Sequence, residues 1–520
     1  MARKLLGTAP SGTTDAATKG YVDTAVAGVS GGFSVAAPTG TVSTDQAAIQ
    51  TKVNAAASAG GGVVVLQPGI YAVTSANRTD AGVSYTGSLT WTDTHVVSGD
   101  VGSYVIGANI NGRAPKIVSV TAGTSFVTDI APGGTVSSAS MIITKPGIDL
   151  PDGVTIQGAG AATGNVTSGV MTGGTTVFDN GTGCTVFQRG GNNEAAYFSR
   201  GGVVGMTIQG ASTYGSIGST FAGIWINNNA SYFKIWDCEI TGHLTWGLGL
   251  DYNINSLDCR NTGFTYSGNS TSTSPTGGVG VSVFNGFASA AVNLYNCWGY
   301  HLYGFFVTPV NGQASMVIQS CQWNVILTSN SYLSGSGICV TGPNSVLIDC
   351  WSETCQGYDV IVGYAFCSVI GGNFIGGGTG AFQMAGSNSI LNLQGVATGN
   401  HSVCVTLGSG IVSWTNCNVG EATFISGVAT PAQAAGVGST AGMTGPGGAM
   451  ASQAYVNATA GGGLYLDTDN MYELASAGSG PIVSGSVNGT ATALILWTGT
   501  AAQYAAIGSK NSSTIYCVTP

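Results

Sequence analysis

IWDCE (235–239), SLDCR (256–260), LYNCW (294–298), IQSCQ (318–322) and LIDCW (347–351) repeat one phrase, in which apolar residues lead through a polar residue to a cysteine. The same rhythm extends outward to VTIQG (154–158), MTIQG (206–210), VIGGN (369–373), NLQGV (392–396) and WTNCN (414–418). Taking the cysteine or glycine as marker gives positions 158, 210, 238, 259, 297, 321, 350, 372, 395 and 417. Most steps fall between 21 and 38 residues, and the first, of 52, has room for two turns. Such a period belongs to a solenoid in which each phrase is one strand of one coil. Equivalent residues then stack about 4.8 Å apart along parallel strands. The expected fold is all-β, a right-handed parallel β-helix.

The marker column reads Gly, Gly, Cys, Cys, Cys, Cys, Cys, Gly, Gly, Cys. Small residues suit a crowded interior, and a free cysteine behaves there as a small hydrophobe. No CxxC or Cys/His ligand spacing accompanies the column, so neither a metal nor any other cofactor is expected. A disulfide framework is equally out of keeping. If the cysteines point inward, their neighbours point to solvent. The column before the marker holds Asp237, Asp258, Asn296, Ser320 and Asp349, and the column after it holds Glu239, Arg260, Trp298, Gln322 and Trp351. Carboxylates and amides bond sugar hydroxyls, and indole faces stack on sugar rings. Trp298, Trp351, Gln322 and Asn296 are therefore the candidate glycan contacts, with local packing or a subunit interface as the competing reading for the tryptophans.

Catalysis by this face would rest on carboxylates. Asp237 and Asp258 on adjacent coils would be about 4.8 Å apart at the backbone, and Asp237 and Glu239 about 6.6 Å apart along one strand. Glycosidases hold their carboxyl pair at roughly 5 to 5.5 Å or 6.5 to 9.5 Å. Stacked acids also raise one another's pKa. The competing reading is an ion pair of Glu239 with Arg260, or plain solvation. Asp349 with Glu353 is a second candidate pair, provided that WSETCQG bends.

Composition narrows the classes further. Of 520 residues, 84 are glycine and only 7% are charged, which is neither a disordered nor a collagen composition. The formal net charge is -9, so nothing provides the basic surface that nucleic acid requires. Twelve of the thirteen Lys and Arg lie between Arg3 and Arg260, and the next is Lys510. That leaves the central region without the cationic base of a polysaccharide lyase and favours a hydrolase if the protein is an enzyme. MARKLLGTAP lacks the apolar run of a signal peptide, and no stretch is long and apolar enough to cross a membrane. His243, His301 and His401 have no partner spacing and are expected to be structural.

Residues 14–29, TDAATKGYVDTAVAGV, place Thr18, Val22, Val26 and Val29 on one helical face, as an oligomerising stem would. Ser43 to Gln46 has the form of a capping box, and Ile49, Val53, Ala56 and Ala57 follow on one face before Gly60-Gly61-Gly62 and the apolar strand VVVLQPGIYAV. DAATKGYVD resembles a segment near the N-termini of bacteriophage tail fibres and tailspikes. The helix, triple glycine, strand and Pro-Gly-x-Tyr order resembles the entry to the pectate-lyase-like β-helices of tailspikes. In that family a phrase such as LPDGVTIQGAGA follows quickly, whereas here it begins at Leu150, so 75–147 reads as an inserted small β-domain. The ending LWTGTAAQYAAIGSKNSSTIYCVTP resembles a C-terminal phrase of phage tail proteins, through Trp497 to Thr500, Gln503-Tyr504 and Thr514 to Tyr516.

The expected organisation is a stem for virion attachment (1–36), a capping helix and first strand (37–74), the insertion (75–147), the β-helix (148–428), and a linker with a C-terminal β head (429–520). The resemblance implies a homotrimer in the virion tail, assembled in the host cytoplasm, joined to other tail or baseplate proteins through its N-terminus and recognising a host surface polysaccharide. Three readings stay open at this point: a glycan-cleaving spike, a non-catalytic receptor-binding fibre, and a structural tail or baseplate component.

Overall fold

Most of the repeated phrases, IWDCE, LYNCW, IQSCQ and LIDCW among them, end a strand, turn the chain through one left-handed residue and start the next strand. The computed structural model describes residues 33–426, apart from loops at 180–184, 190–199, 215–221, 268–278, 285–290, 308–314 and 327–334 and shorter stretches; beyond 426 it describes a set of strands and one short helix. The stem expected at 14–29 lies outside the described residues.

The coils stack into three parallel faces, of which the third has 11 strands. The first sheet includes Phe233–Trp236, Leu257–Arg260, Ala291–Tyr295, Ser315–Gln319, Ser345–Ile348 and Phe366–Ile370. The second includes Glu239–Thr241, Gly263–Thr265, Trp298–Leu302, Gln322–Ile326, Trp351–Cys355 and Asn373–Ile375. The chain then crosses to the third sheet, for example at Trp246–Asp251 and Tyr358–Val362, before starting the next coil. One apolar core runs the length of the solenoid, from Ile49 to Ile425.

The corner between the first and second sheets is a single residue with positive φ: Gly205, Asp237, Asn261, Asn296, Ser320, Asp349, Gly371, Gly395 and Asn416 on successive coils. Glycine takes this conformation freely, and Asn and Asp tolerate it because their short polar side chains bond locally. Those side chains also bond one another: Asn261 Nδ2 donates to Asp237 Oδ1 at 2.9 Å, and Asn296 Nδ2 to Asn261 Oδ1 at 2.8 Å. The residue after each corner points inward, giving the column Met206, Cys238, Thr262, Cys297, Cys321, Cys350, Gly372, Val396 and Cys417. The register that fixes it runs Thr207, Glu239, Gly263, Trp298, Gln322, Trp351, Asn373, Ala397 and Asn418.

Four markers depart from this column, and one of them, Gly395, is itself a corner residue. Cys259 pairs with Ile235 and Leu294 inside the first sheet, two residues before its corner. Gly158 lies opposite Gly205 at the end of the first sheet. Gly210 follows the second-sheet strand Thr207–Gln209. Cysteine and glycine fit any interior position, so their spacing does not say which column they occupy. The ten described cysteines are all free and buried, and burial pushes the Cys238 and Cys350 thiols up to about 12.

At the N-terminal end helix α1, Val42–Ser58, closes the core with Ile49, Val53 and Ala56. Its cap is not the expected Ser43/Gln46 box. The helix starts after Thr41, and Asp45 accepts from the Thr39 and Gly40 amides and from the Ala72 amide of the first coil. Gln46 instead bonds Thr74 and the Gly147 carbonyl. Residues 76–145 form a separate six-stranded sheet with its own core around Trp91 and Phe126. It leaves the coil after Gly69–Val73 and returns at Ile148–Asp149, and its first and last strands pair at the root through Ala76 and Lys145. The glycine-rich stretch after Ala429, expected as a linker, adds the strand Ala434–Ser439 to the first sheet. At the C-terminus, Thr490–Thr500 and Thr514–Thr519 pair in parallel around helix α2, Ala501–Ala505, whose Thr500 and Gln503 form a reciprocal cap.

If the corner conformation governs stability, Asn261→Leu lowers unfolding free energy by about 1–2 kcal/mol, the cost of a left-handed residue without local bonding, whereas Asn261→Gly costs clearly less. Denaturant unfolding of both variants checks this, and equal losses would refute it.

Candidate functional site

Strand alternation turns every second residue of the second sheet outward, and the register stacks them in two rows. The first row is Glu239, Gly263, Trp298, Gln322, Trp351 and Asn373. The second is Thr241, Thr265, Tyr300, Asn324, Glu353 and Ile375. Between them, Ile240, Phe264, Trp323 and Phe374 point into the core. Trp298 and Trp351 are 39% and 43% exposed, too open to be core residues, and lie two coils apart, about 10 Å. Gln322 sits between them. Asn324 Nδ2 donates to Glu353 Oε2 at 3.0 Å, and Thr354 Oγ1 donates to Asn324 Oδ1 at 2.6 Å.

At the upper end of the rows aromatic side chains gather around a buried acid. Glu239 is only 8% exposed, and its Oε1 accepts from Thr265 Oγ1 at 2.6 Å. Its carboxylate and the Trp298 indole both lie over Gly263: a Cβ there would stand 2.0 Å from Glu239 Oε2 and 2.5 Å from Trp298 Nε1. Glycine is required for the acid and the ring to meet. The Tyr266 ring lies edge-on to Tyr214 at 5.6 Å and to Tyr300 at 5.7 Å, and stacks on His301 at 5.3 Å. Burial pushes the Glu239 carboxyl up to about 7, against the opposing hydrogen bond from Thr265. Burial first, then the neighbouring Tyr300, Tyr214 and Glu239, pushes the Tyr266 phenol up to about 12.

The other candidate acids are dispersed. Asp237 and Asp349 are corner residues, as is Asn296, and their side chains run along the edge between two faces. Asp258 pairs with Lys234 and Asn293 on the first sheet, not with Asp237. It holds Arg260 at 2.8 Å, so the ion pair weighed for Glu239 with Arg260 forms between Asp258 and Arg260 instead. Arg260 also lies over the Trp236 and Tyr295 rings. WSETC is a continuous strand, so Asp349 at its corner and Glu353 within the sheet are not folded toward one another. Glu353 is four coils from Glu239. Among the described residues no second carboxylate joins Glu239 in its pocket.

Tyr300 was legible in the sequence, two residues after Trp298 on the same face. Tyr214 and Tyr266 come from segments after strands, where no periodic signal marks them. His243 and His401 are enclosed. His243 is fully buried with Nε2 3.2 Å from the Ile208 carbonyl, and burial pushes it down to about 4. His401 is held between Asp359 at 2.9 Å and Glu421 at 2.7 Å.

By its fold the chain is a right-handed parallel β-helix protein, closed by a helix at one end and carrying an inserted β-domain. Residues 494–519, the C-terminal strand–helix–strand unit, match the phage tail tip domain. That match places a phage tail tip domain at the C-terminal end of a β-helix chain. Similar solved structures include ORF18 of Geobacillus virus E2, with 13% identity over 91% of this chain and 78% of that one and a TM-score of 0.48. The A-module of mannuronan C-5 epimerase AlgE6 from Azotobacter vinelandii has 13% identity, 78% and 96% coverage and a TM-score of 0.34. The tailspike gp49 of Pseudomonas phage LKA1 has 11% identity, 78% and 82% coverage and a TM-score of 0.26. No curated protein sequence matches the chain.

The raised Glu239 pKa has a definite linkage sign. The folded chain binds this proton more tightly than the unfolded chain, so folding loses stability as pH rises from about 4.5 to 7. Glu239→Gln removes the titration. The stability of the variant relative to the parent therefore climbs across that window and is level below it. Urea midpoints at pH 4, 5.5 and 7.5 test this, and a constant difference would refute it.

Proposed function

We propose that this tail protein binds a host cell-surface polysaccharide along the outward face of its second sheet. The observation that carries the reading is the register Trp298, Gln322, Trp351, which sets two exposed indoles about 10 Å apart with an amide between them. An extended sugar chain lying along the solenoid would stack on both rings and bond Gln322, Asn324 and Asn373. The face carries no cation, so recognition relies on stacking and hydroxyl hydrogen bonds rather than on steering of an anionic polymer. Binding is favoured over hydrolysis because the candidate carboxylates Asp237, Asp258, Asp349 and Glu353 are spread over a corner, another sheet and distant coils, and none pairs with Glu239.

In this reading the chain acts as a homotrimer, attached to the tail through its N-terminal region. Phe366, Ile370 and Ile411 are exposed on the outward side of the first sheet, and burying them between protomers leaves the second sheet open to the glycan. Sedimentation of the full chain is expected to give three times its 51.8 kDa mass. A stable monomer would refute the trimer.

Binding of purified host envelope polysaccharide is expected to weaken about tenfold or more in Trp351→Ala, as loss of one stacking ring is worth roughly 1–3 kcal/mol by analogy with other aromatic stacking platforms. Asp258→Asn, on the other face, is expected to bind normally. Retained affinity in Trp351→Ala, or reducing ends released from the polymer in an Asp258-dependent way, would overturn this reading.

A further inference from the structure

Among the described residues Glu239 is a buried acid without a counter-ion. Its hydrogen-bond donor among them is the Thr265 hydroxyl, and the sequence holds no Lys or Arg from 261 to 509 that could reach it. The two cations nearest in sequence are committed elsewhere, Lys234 over the Trp236 ring and Arg260 to Asp258. His243 is buried against the Ile208 carbonyl, and His301 stacks on the far side of Tyr266. A carboxylate withdrawn from water and left unpaired is costly, and a hydrophobic residue of similar size would be cheaper there. What surrounds it is aromatic: Trp298 over the same glycine, and Tyr214, Tyr266 and Tyr300 linked ring to ring. Ring faces attract cations, and most strongly where water is excluded. An acid at the base of a group of aromatic rings is complementary to an ammonium group.

Building on the proposed glycan face, we propose that the Glu239 pocket receives the unacylated amino group of an amino sugar in the bound polysaccharide. The indole of Trp298 joins the pocket to the open row, so a chain stacked on Trp298 and Trp351 would bring its amine to Glu239 at the upper end. An N-acetylated sugar at this position would not offer the charge. Because the carboxyl holds a proton up to about pH 7, binding an ammonium displaces that proton. Affinity therefore falls about tenfold for each unit below pH 7, as linkage requires for one displaced proton. The phenols of Tyr214 and Tyr266, both raised by burial, stay neutral throughout.

The test uses the full chain and two defined probes, a glucosamine hexamer and its fully N-acetylated counterpart, compared by calorimetry at pH 7. The amine oligomer is expected to bind at least tenfold more tightly. Glu239→Gln should reduce it to the level of the acetylated oligomer while leaving the latter unchanged. Tyr300→Leu, at the more exposed rim, should lower the preference severalfold, and Trp351→Ala should weaken both oligomers alike. Equal binding of the two oligomers, binding of neither, or a preference that survives Glu239→Gln overturns the amine assignment. Shortening of the oligomers that is lost in Glu239→Gln with affinity unchanged would make Glu239 a proton donor and also overturn it. If the host polysaccharide binds but the two oligomers are not distinguished, only the amine assignment falls; if the host polysaccharide does not bind, the broader reading falls.

Discussion

Every coil must turn at the same point, and the left-handed corner between the first and second sheets enforces it. A slip of one residue would exchange the inward and outward side chains of a whole strand. The corner prevents this because only a few residue types hold positive φ without strain, and here they stand once per coil from Gly205 to Asn416. The backbone amide of each corner from Gly205 to Gly395 also donates to the residue before the corner of the next coil, as Asp237 does to the Arg260 carbonyl and Asn296 to that of Gln319. The exposed rows of the second sheet are a consequence. Trp298 stands beside Gln322, and Gln322 beside Trp351, because the corners one position earlier are aligned.

This explains which parts of the site were legible. Where a marker cysteine really follows a corner, as at Cys238, Cys297, Cys321 and Cys350, the next residue faces outward on the second sheet, and Glu239, Trp298, Gln322 and Trp351 fall where the spacing placed them. Cys259 is equally small and buried but belongs to the first sheet, so counting from it moved Asp258 and Arg260 to the wrong side of the corner. The true corner of that coil, Asn261, was visible in composition: Asp, Asn, Ser and Gly recur there for their backbone conformation. Read as side-chain chemistry, the same letters suggested a row of acids and amides for substrate. Asp237 and Asp349 stand at corners, where the left-handed conformation by itself favours Asp.

The insertion was legible for a different reason. A β-helix phrase that arrives seventy residues late must leave room for a separate unit, and the antiparallel sheet of 76–145 fills it with its own core. The Glu239 pocket was only half visible. Period-two alternation carries Glu239 and Tyr300 to one face, but Tyr214 and Tyr266 lie beyond strand ends, where side-chain direction depends on the path of the chain. Nothing in the spacing of Glu239 shows that those rings would shut it away from water.

With so few charged residues, where they are buried is informative. Arg78 braces Asp80 and Asp100 within the insertion, Lys116 and Tyr104 reach Asp149 at its root, and Asp45 ties the capping helix to the first coil. Near the other end His401 bridges Asp359 and Glu421; burial works against its charge, but the two acids outweigh it and push it up to about 9. Each of these acids has a cation or several backbone amides to meet. Among the described residues Glu239 has neither. The face onto which its pocket opens is the one that carries the exposed indoles.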